Sequence, residues 1–119
     1  MNDSVDCTDL KTWLTSFEKA LASGDPQKVA ALFAEDSFWR DMAAFTWDIR
    51  TLEGRDAIRA MIAATPESAQ SANWRIVPGP TTSEREGIVE FDTDVGRGQG
   101  YVRLRDGLCW TLLTVLDDI

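Results

Sequence analysis

The apolar spacing of this chain changes period partway along, and that change limits what it can fold into. In the first part, Leu10, Trp13, Leu14, Phe17, Ala20 and Leu21 recur every three or four residues, the repeat of a helix with one buried face. Later the repeat drops to two. Val89, Phe91 and Val95 alternate with Glu90, Asp92 and Asp94, and Tyr101 to Arg105 alternates again. Helices that come first and strands that come last do not interleave as β-α-β units. They segregate into layers, with helices on one face of a mostly antiparallel sheet, which makes this an α+β chain.

Local signals place the elements. Thr8 is a plausible N-cap for a helix from Asp9, and Gly24 can supply the left-handed residue that ends it. Asp25 and Pro26 fit the cap and first position of a second helix, with Val29, Leu32 and Phe33 as its stripe. Glu35-Asp36-Ser37 closes this helical hairpin. Phe38 to Asp41 reads as a short strand, with Trp39 and Asp41 on one face and Phe38 and Arg40 on the other. Met42 to Phe45 reads as a loop or single turn, and Trp47 to Leu52 as a second short strand. Gly54 opens a third helix that buries Ile58, Met61 and Ile62, and Thr65-Pro66 ends it. Glu67 to Asn73 is a surface loop, Trp74 to Val77 a strand, and Glu84 to Gly87 a turn. Asp106-Gly107 marks a hairpin. Leu108 to Leu116 is apolar on both faces, as in a central strand covered by helices on one side and by a partner subunit on the other. The 119 residues suit one domain, 1–119, with 1–8 as a flexible lead-in.

Composition removes whole classes of function. The net charge of −8, with no Lys/Arg cluster, would be repelled by nucleic-acid backbones and anionic membranes, so neither is an expected partner. No apolar run approaches the roughly 18 residues of a membrane span. The first residues are acidic and lack the apolar core of a signal peptide, so a cytoplasmic location is expected. The chain has no histidine, which removes the usual proton shuttle, the commonest metal ligand and every His-based triad. Cys7 and Cys109 show no metal-ligand spacing, and a disulfide between them is not expected in a reducing cytoplasm. Asp92 and Asp94 share a polar strand face with no third ligand, so no metal and no cofactor is expected.

Chemistry is left to carboxylates, arginines, Tyr101 and hydroxyls. The densest candidate is Phe38 to Trp47, with four aromatic side chains and the adjacent pair Arg40 and Asp41. A carboxylate walled by Trp39, Phe45 and Trp47 would be desolvated and so a stronger base. The competing reading is a structural carboxylate, paired with a neighbouring arginine or capping the turn at Met42. Trp13, Phe17, Trp39, Phe45, Trp47, Trp74, Phe91 and Trp110 either line a pocket for a small apolar or aromatic molecule or fill the core. Gly96 to Gly100 lacks the strand–helix context of a phosphate loop and reads as a bend or bulge where the sheet curls. Arg97, at that bend, could still point at a ligand anion. Arg103 and Arg105 alternate with Val102 and Leu104, as on a solvated face.

Ala22-Ser23-Gly24-Asp25, Ala31-Leu32-Phe33-Ala34-Glu35-Asp36, Phe38 to Asp41 and Leu52-Glu53-Gly54-Arg55-Asp56-Ala57-Ile58 follow one another in an order that resembles the nuclear transport factor 2-like superfamily. That group includes ketosteroid isomerases, scytalone dehydratases, limonene epoxide hydrolases and polyketide cyclase-like proteins. The resemblance implies a cone-shaped, strongly curved sheet with three helices on its concave face, a pocket between them, and often a homodimer through the outer sheet face. Asp41 looks like the general base of the ketosteroid isomerases. Phe17 falls where those enzymes carry an oxyanion-hole tyrosine, and Arg97 or Gly98 where they carry a second acid. Both electrophilic donors are therefore missing, a departure from steroid-type isomerisation. Epoxide-hydrolase-like chemistry would use Asp41 with Arg97 or Arg103 and a third residue that the sequence does not identify.

A closer resemblance is to the domain found ahead of some bacterial flavin-containing monooxygenases. Phe38 to Asp41, Phe45 to Thr51 and Trp110-Thr111-Leu112-Leu113 carry it. The leading expectation is a small-molecule-binding domain, with Asp41 as base and an arginine, Arg97, opposing developing negative charge if it is an enzyme. The alternative is a non-catalytic accessory or dimerisation domain of a flavin-dependent monooxygenase.

Overall fold

A computed structural model describes residues 8–42, 49–64, 72–79, 82–83, 85–93 and 96–118. Helix α1 (Thr8–Ser23) buries all six residues of its predicted stripe, from Leu10 to Leu21. Gly24 ends it at φ +73°, its N–H bonded to the Leu21 carbonyl. Asp25 then caps α2 (Pro26–Ala30) by accepting the Gln27 N–H at 3.0 Å. The proline sits where a helix has no use for its missing N–H.

Helix α2 is shorter than its apolar spacing suggests, and Leu32 and Phe33 do not belong to it. The Leu32 carbonyl accepts both the Trp13 indole N–H and the Cys109 backbone N–H, each at 2.9 Å. Those bonds hold the chain against the sheet, so strand β1 (Phe33–Met42) starts five residues before Phe38. Glu35, Asp36 and Ser37 therefore lie inside a strand rather than at the end of a helical hairpin. The predicted two-face division of β1 holds: Trp39 and Asp41 are buried, and Phe38 and Arg40 are exposed.

Strand β2 (Ile49–Glu53) pairs antiparallel with β1, and Gly54, at φ +85°, turns the chain into α3 (Gly54–Ala64). That helix buries Ile58, Met61 and Ile62, as its spacing predicts. Strands β3 (Ala72–Val77), β4 (Glu86–Asp92), β5 (Arg97–Arg105) and β6 (Leu108–Asp118) follow as an antiparallel meander. The hairpin between β5 and β6 has Asp106 at φ 56° and Gly107 at φ 81°, the left-handed pair that a two-residue turn requires.

The six strands form one curved, open sheet in the order β2-β1-β6-β5-β4-β3. Its single parallel junction joins β1 to β6, so the last strand lies between the first strand and the meander. The inner face carries Trp39, Asp41, Val89, Phe91, Val102, Leu104, Leu112 and Thr114 against the helices. Each large apolar side chain fully buried there contributes roughly 1.5–3 kcal/mol. Two register shifts bend β5 against β6: one between Arg97 and Gly98, where a bend was expected, and one between Arg103 and Leu104. At Gly98 an added Cβ would lie 2.3 Å from the Phe91 ring, so only glycine lets that ring lie against the strand. No helix among the described residues is long and apolar enough to cross a membrane.

Candidate functional site

Asp41 has 0% of its surface exposed. Strand alternation turns it inward beside Trp39, and the parallel register sets it opposite Thr114 of β6. The Thr114 hydroxyl donates to Asp41 Oδ1 at 2.6 Å, within the range of a hydrogen bond from a hydroxyl to a carboxylate. The Trp39 indole N–H donates to Thr114 Oγ1 at 2.8 Å. Trp39 and Thr114 are as fully buried as Asp41. Residues 39, 41 and 114 thus form a buried polar chain on the inner sheet face.

Aromatic rings pack around its Trp39 end. Trp39 stacks on Phe33, with centroids 5.6 Å apart and planes 9° apart, and meets Phe17 edge-on at 5.8 Å. Phe17 stacks on Trp13 at 4.8 Å and meets Trp74 edge-on at 5.0 Å. Trp74 stacks in turn on Phe91 at 4.1 Å. Five of the eight aromatic candidates, Trp13, Phe17, Trp39, Trp74 and Phe91, therefore form one continuous buried cluster. Phe33, which the sequence reading gave to α2, is a sixth member. Phe45 and Trp47 lie outside the described residues. A groove of about 510 Å³ between α1 and β3, walled by Leu14, Trp74, Ile76 and Pro78, reaches the cluster at Trp74.

Two candidates lie elsewhere. Trp110 does not face inward. Arg103 pairs with Thr111 and Leu104 with Cys109, so Trp110 is an extra residue in β6 and turns to the outer face. There the guanidiniums of Arg103 and Arg105 lie 5.1 and 5.4 Å from its ring centroid. Arg97 is exposed at the start of β5, opposite Asp92 of β4, and three residues along from Gly100, the partner of Thr114. The structure does not bring it to Asp41. The Asn73 side-chain hydrogen bond, together with Arg75 and the charge of Arg97, holds the Asp92 carboxyl below its usual range, outweighing some desolvation.

Sequence reading missed Thr114, whose only signal is a hydroxyl at an inward position of an otherwise apolar strand. It also missed Ser37, a buried hydroxyl with no hydrogen-bond partner among the described residues. Burial pushes the Cys109 thiol well up, so it behaves as a small apolar side chain.

No curated protein matches the chain by sequence. Among solved structures, it is similar to an isomerase candidate from Bacillus subtilis, with a TM-score of 0.69 and 16% identity over 92% of this chain and 86% of that one. A ketosteroid isomerase candidate from Kribbella flavida gives 0.68 and 18% over 97% and 82%. An NTF2-like protein from Mesorhizobium loti gives 0.64 and 16% over 98% and 97%. At these identities the likeness shows the fold, which is NTF2-like. The link to flavin monooxygenases is not carried by these matches. The SnoaL-like domain family matches residues 14–112, and the chain belongs to that family.

Proposed function

We propose that this chain binds a small apolar molecule and catalyses an isomerase-type proton transfer with Asp41 as the base. The observation that carries the reading is a fully buried carboxylate, hydrogen-bonded by the Thr114 hydroxyl, which in turn accepts from Trp39 of the aromatic cluster. The chemistry open to such a group is general-base abstraction of a proton from a weakly acidic C–H bond. The carboxylate takes a proton from the α carbon, the C–H electron pair becomes the new C=C of a dienolate as the carbonyl π pair moves onto oxygen, and return of the proton to the γ carbon gives the conjugated isomer. No oxidant or cofactor enters. The isomerase candidates among the structural neighbours agree with this class of reaction. Asp41 has no exposed surface, so a substrate reaches it only when the covering side chains part.

The test uses cyclohex-3-enone, a small β,γ-unsaturated ketone, in D2O, with deuterium incorporation and double-bond migration followed by NMR. Wild-type protein should accelerate both, and Asp41→Asn should lose roughly 100-fold or more of the acceleration. Equal rates for the two proteins would overturn the reading.

A second observation favours a partner at the other sheet face. Phe38 and Ile88 are 42% and 38% exposed, and both lie on the outer face with Leu113 and Tyr101 between their strands. This favours a homodimer through the sheet. Sedimentation should give twice 13.2 kDa, and the Phe38→Glu, Ile88→Glu double variant should sediment as a monomer. A wild-type monomer at micromolar concentration would refute it.

A further inference from the structure

We propose that the groove between α1 and β3 is a binding site for a small, flat aromatic carboxylate, whose ring lies along Trp74, Ile76 and Pro78 and whose charge is met by Lys11. The site goes beyond the proton-transfer reading. Asp41 does not line the groove, so the site stands whether or not Asp41 acts as a base.

The groove follows from how a helix and an edge strand meet. Glu18, toward the end of α1, accepts the backbone N–H groups of Asn73 and Trp74 at 2.9 and 3.4 Å, which ties that end of the helix to the start of β3. The other end of α1 lies over β4, where a Cβ at Gly87 would come within 3.0 Å of the Leu10 side chain. The helix and the strand therefore run in opposite directions, with Lys11 toward Pro78. Trp74, Ile76 and Pro78 are alternate residues and line one wall. Trp74 and Leu14 are buried, Ile76 is half-buried and Pro78 is exposed, so α1 covers the start of this row and leaves its end open. The Thr82 hydroxyl donates to the Val77 carbonyl at 3.1 Å and fixes the wall beyond the strand. The space of about 510 Å³ is in the range of small-molecule sites.

Charge selects the ligand. Among the described residues, Lys11, Glu18 and Arg75 are the charged side chains that border the groove. Glu18 already accepts its two backbone bonds. The Arg75 guanidinium is placed on Glu90 and Asp92, at 3.3 and 3.5 Å. Lys11 is in no ion pair among the described residues, and it lies seven residues, about 10 Å of helix, from Glu18. The unmatched charge is thus a cation at the open end, beside an apolar wall. The net charge of −8 repels anions in general, so an anion without an apolar body gains little by approaching. An aromatic ring adds the burial of apolar surface against Ile76 and Pro78, and its carboxylate then reaches the ammonium.

The test titrates the full chain with 2-naphthoate, the neutral 2-naphthamide and the cationic 2-naphthylmethylammonium, following the backbone amides of residues 74–77 and the Ile76 methyl signals by NMR. 2-Naphthoate should shift these signals and bind more tightly than the other two, with an affinity that falls as salt is added. Lys11→Met keeps the apolar stem and loses the charge, so it should weaken 2-naphthoate roughly 3- to 10-fold and leave 2-naphthamide unchanged. Thr15→Trp, at an exposed position on the groove rim, should fill the space and abolish binding while circular dichroism stays that of wild type. No shift of these signals at millimolar 2-naphthoate, equal affinity in Lys11→Met, or tighter binding of the ammonium compound would each overturn the proposal. It would also be overturned if Thr15→Trp turned a dimer into monomers in sedimentation, since the groove would then belong to a second copy of the chain. Asp41→Asn should bind 2-naphthoate as wild type does, so this site and the base reading fail separately.

Discussion

Adding one methyl group at Gly98 should loosen the aromatic cluster from the sheet side. A Cβ there would lie 2.3, 2.4 and 3.0 Å from three carbons of the Phe91 ring. Carbon atoms pack at about 3.5–4.0 Å, so the nearest overlap is about 1 Å and involves the whole ring tip. Phe91 has little room to retreat. It stacks on Trp74 at 4.1 Å, and Trp74 bears on Phe17 at 5.0 Å. Strand β5 has little room either, because Gly98 pairs with Phe91 on one side and Leu116 on the other. Overpacking of this kind costs roughly 1–3 kcal/mol. For a domain of this size that corresponds to a fall in Tm of about 4–12 °C. Urea unfolding followed by tryptophan fluorescence and by circular dichroism measures the loss, and Trp74 reports the local change. Phe91→Leu shortens the ring that meets the new methyl, so the double variant should be less destabilised than the sum of the singles by about 1 kcal/mol or more. An unchanged Tm in Gly98→Ala, or strict additivity in the double variant, would refute the reasoning.

Ser37→Ala should leave stability unchanged or raise it by up to about 1 kcal/mol, because it removes a buried hydroxyl without a partner among the described residues; a clear loss in thermal melts would show that the hydroxyl is satisfied after all. Tyr101 should make stability fall at alkaline pH. Its hydroxyl donates to Glu86, and that bond, with burial and the nearby charge of Glu86, pushes the phenol above its usual range. The unfolded chain thus loses the proton first, near pH 10, and the contribution of Tyr101 is fully present below that pH and lost as pH rises through the folded value. Denaturant titrations from pH 8 to 11 should show a steeper decline in wild type than in Tyr101→Phe, and equal declines would refute the assignment.

Much of the fold was legible because it is written in local chemistry. The stripe from Leu10 to Leu21, the Asp25-Pro26 start and the Asp106-Gly107 turn each act within a few residues, and the structure carries all three. The start of β1 was not legible, since Leu32 and Phe33 are placed by bonds to Trp13 and Cys109, distant in sequence. The inward-facing rings were readable from the pattern of Trp39, Trp74 and Phe91, but Trp110 was not. One extra residue in β6 changes the phase of the alternation, and no local signal announces it. At the site, the sequence marks Asp41 through its aromatic neighbours. Thr114 is invisible there because a β-branched threonine suits any strand, and its partners lie 73 and 75 residues away. The separation of Arg97 from Asp41 follows from sheet order, which single-chain patterns do not encode.

The position of β6 has a consequence for how the molecule comes into being. Strands β2 and β1 form one block and β5, β4 and β3 another, and β6 alone is paired with both. On a ribosome adding roughly 5–20 residues each second, Asp41 emerges roughly 4–15 s before the threonine 73 residues later that completes its hydrogen bond. During that interval β1 offers an unpaired edge to whatever is nearby, a moment of exposure in which a chaperone or a second nascent chain can dock. The buried carboxylate acquires its hydrogen bond from Thr114 only when β6 slots between β1 and β5. Closure of this sheet and formation of the Asp41–Thr114 hydrogen bond are then a single event.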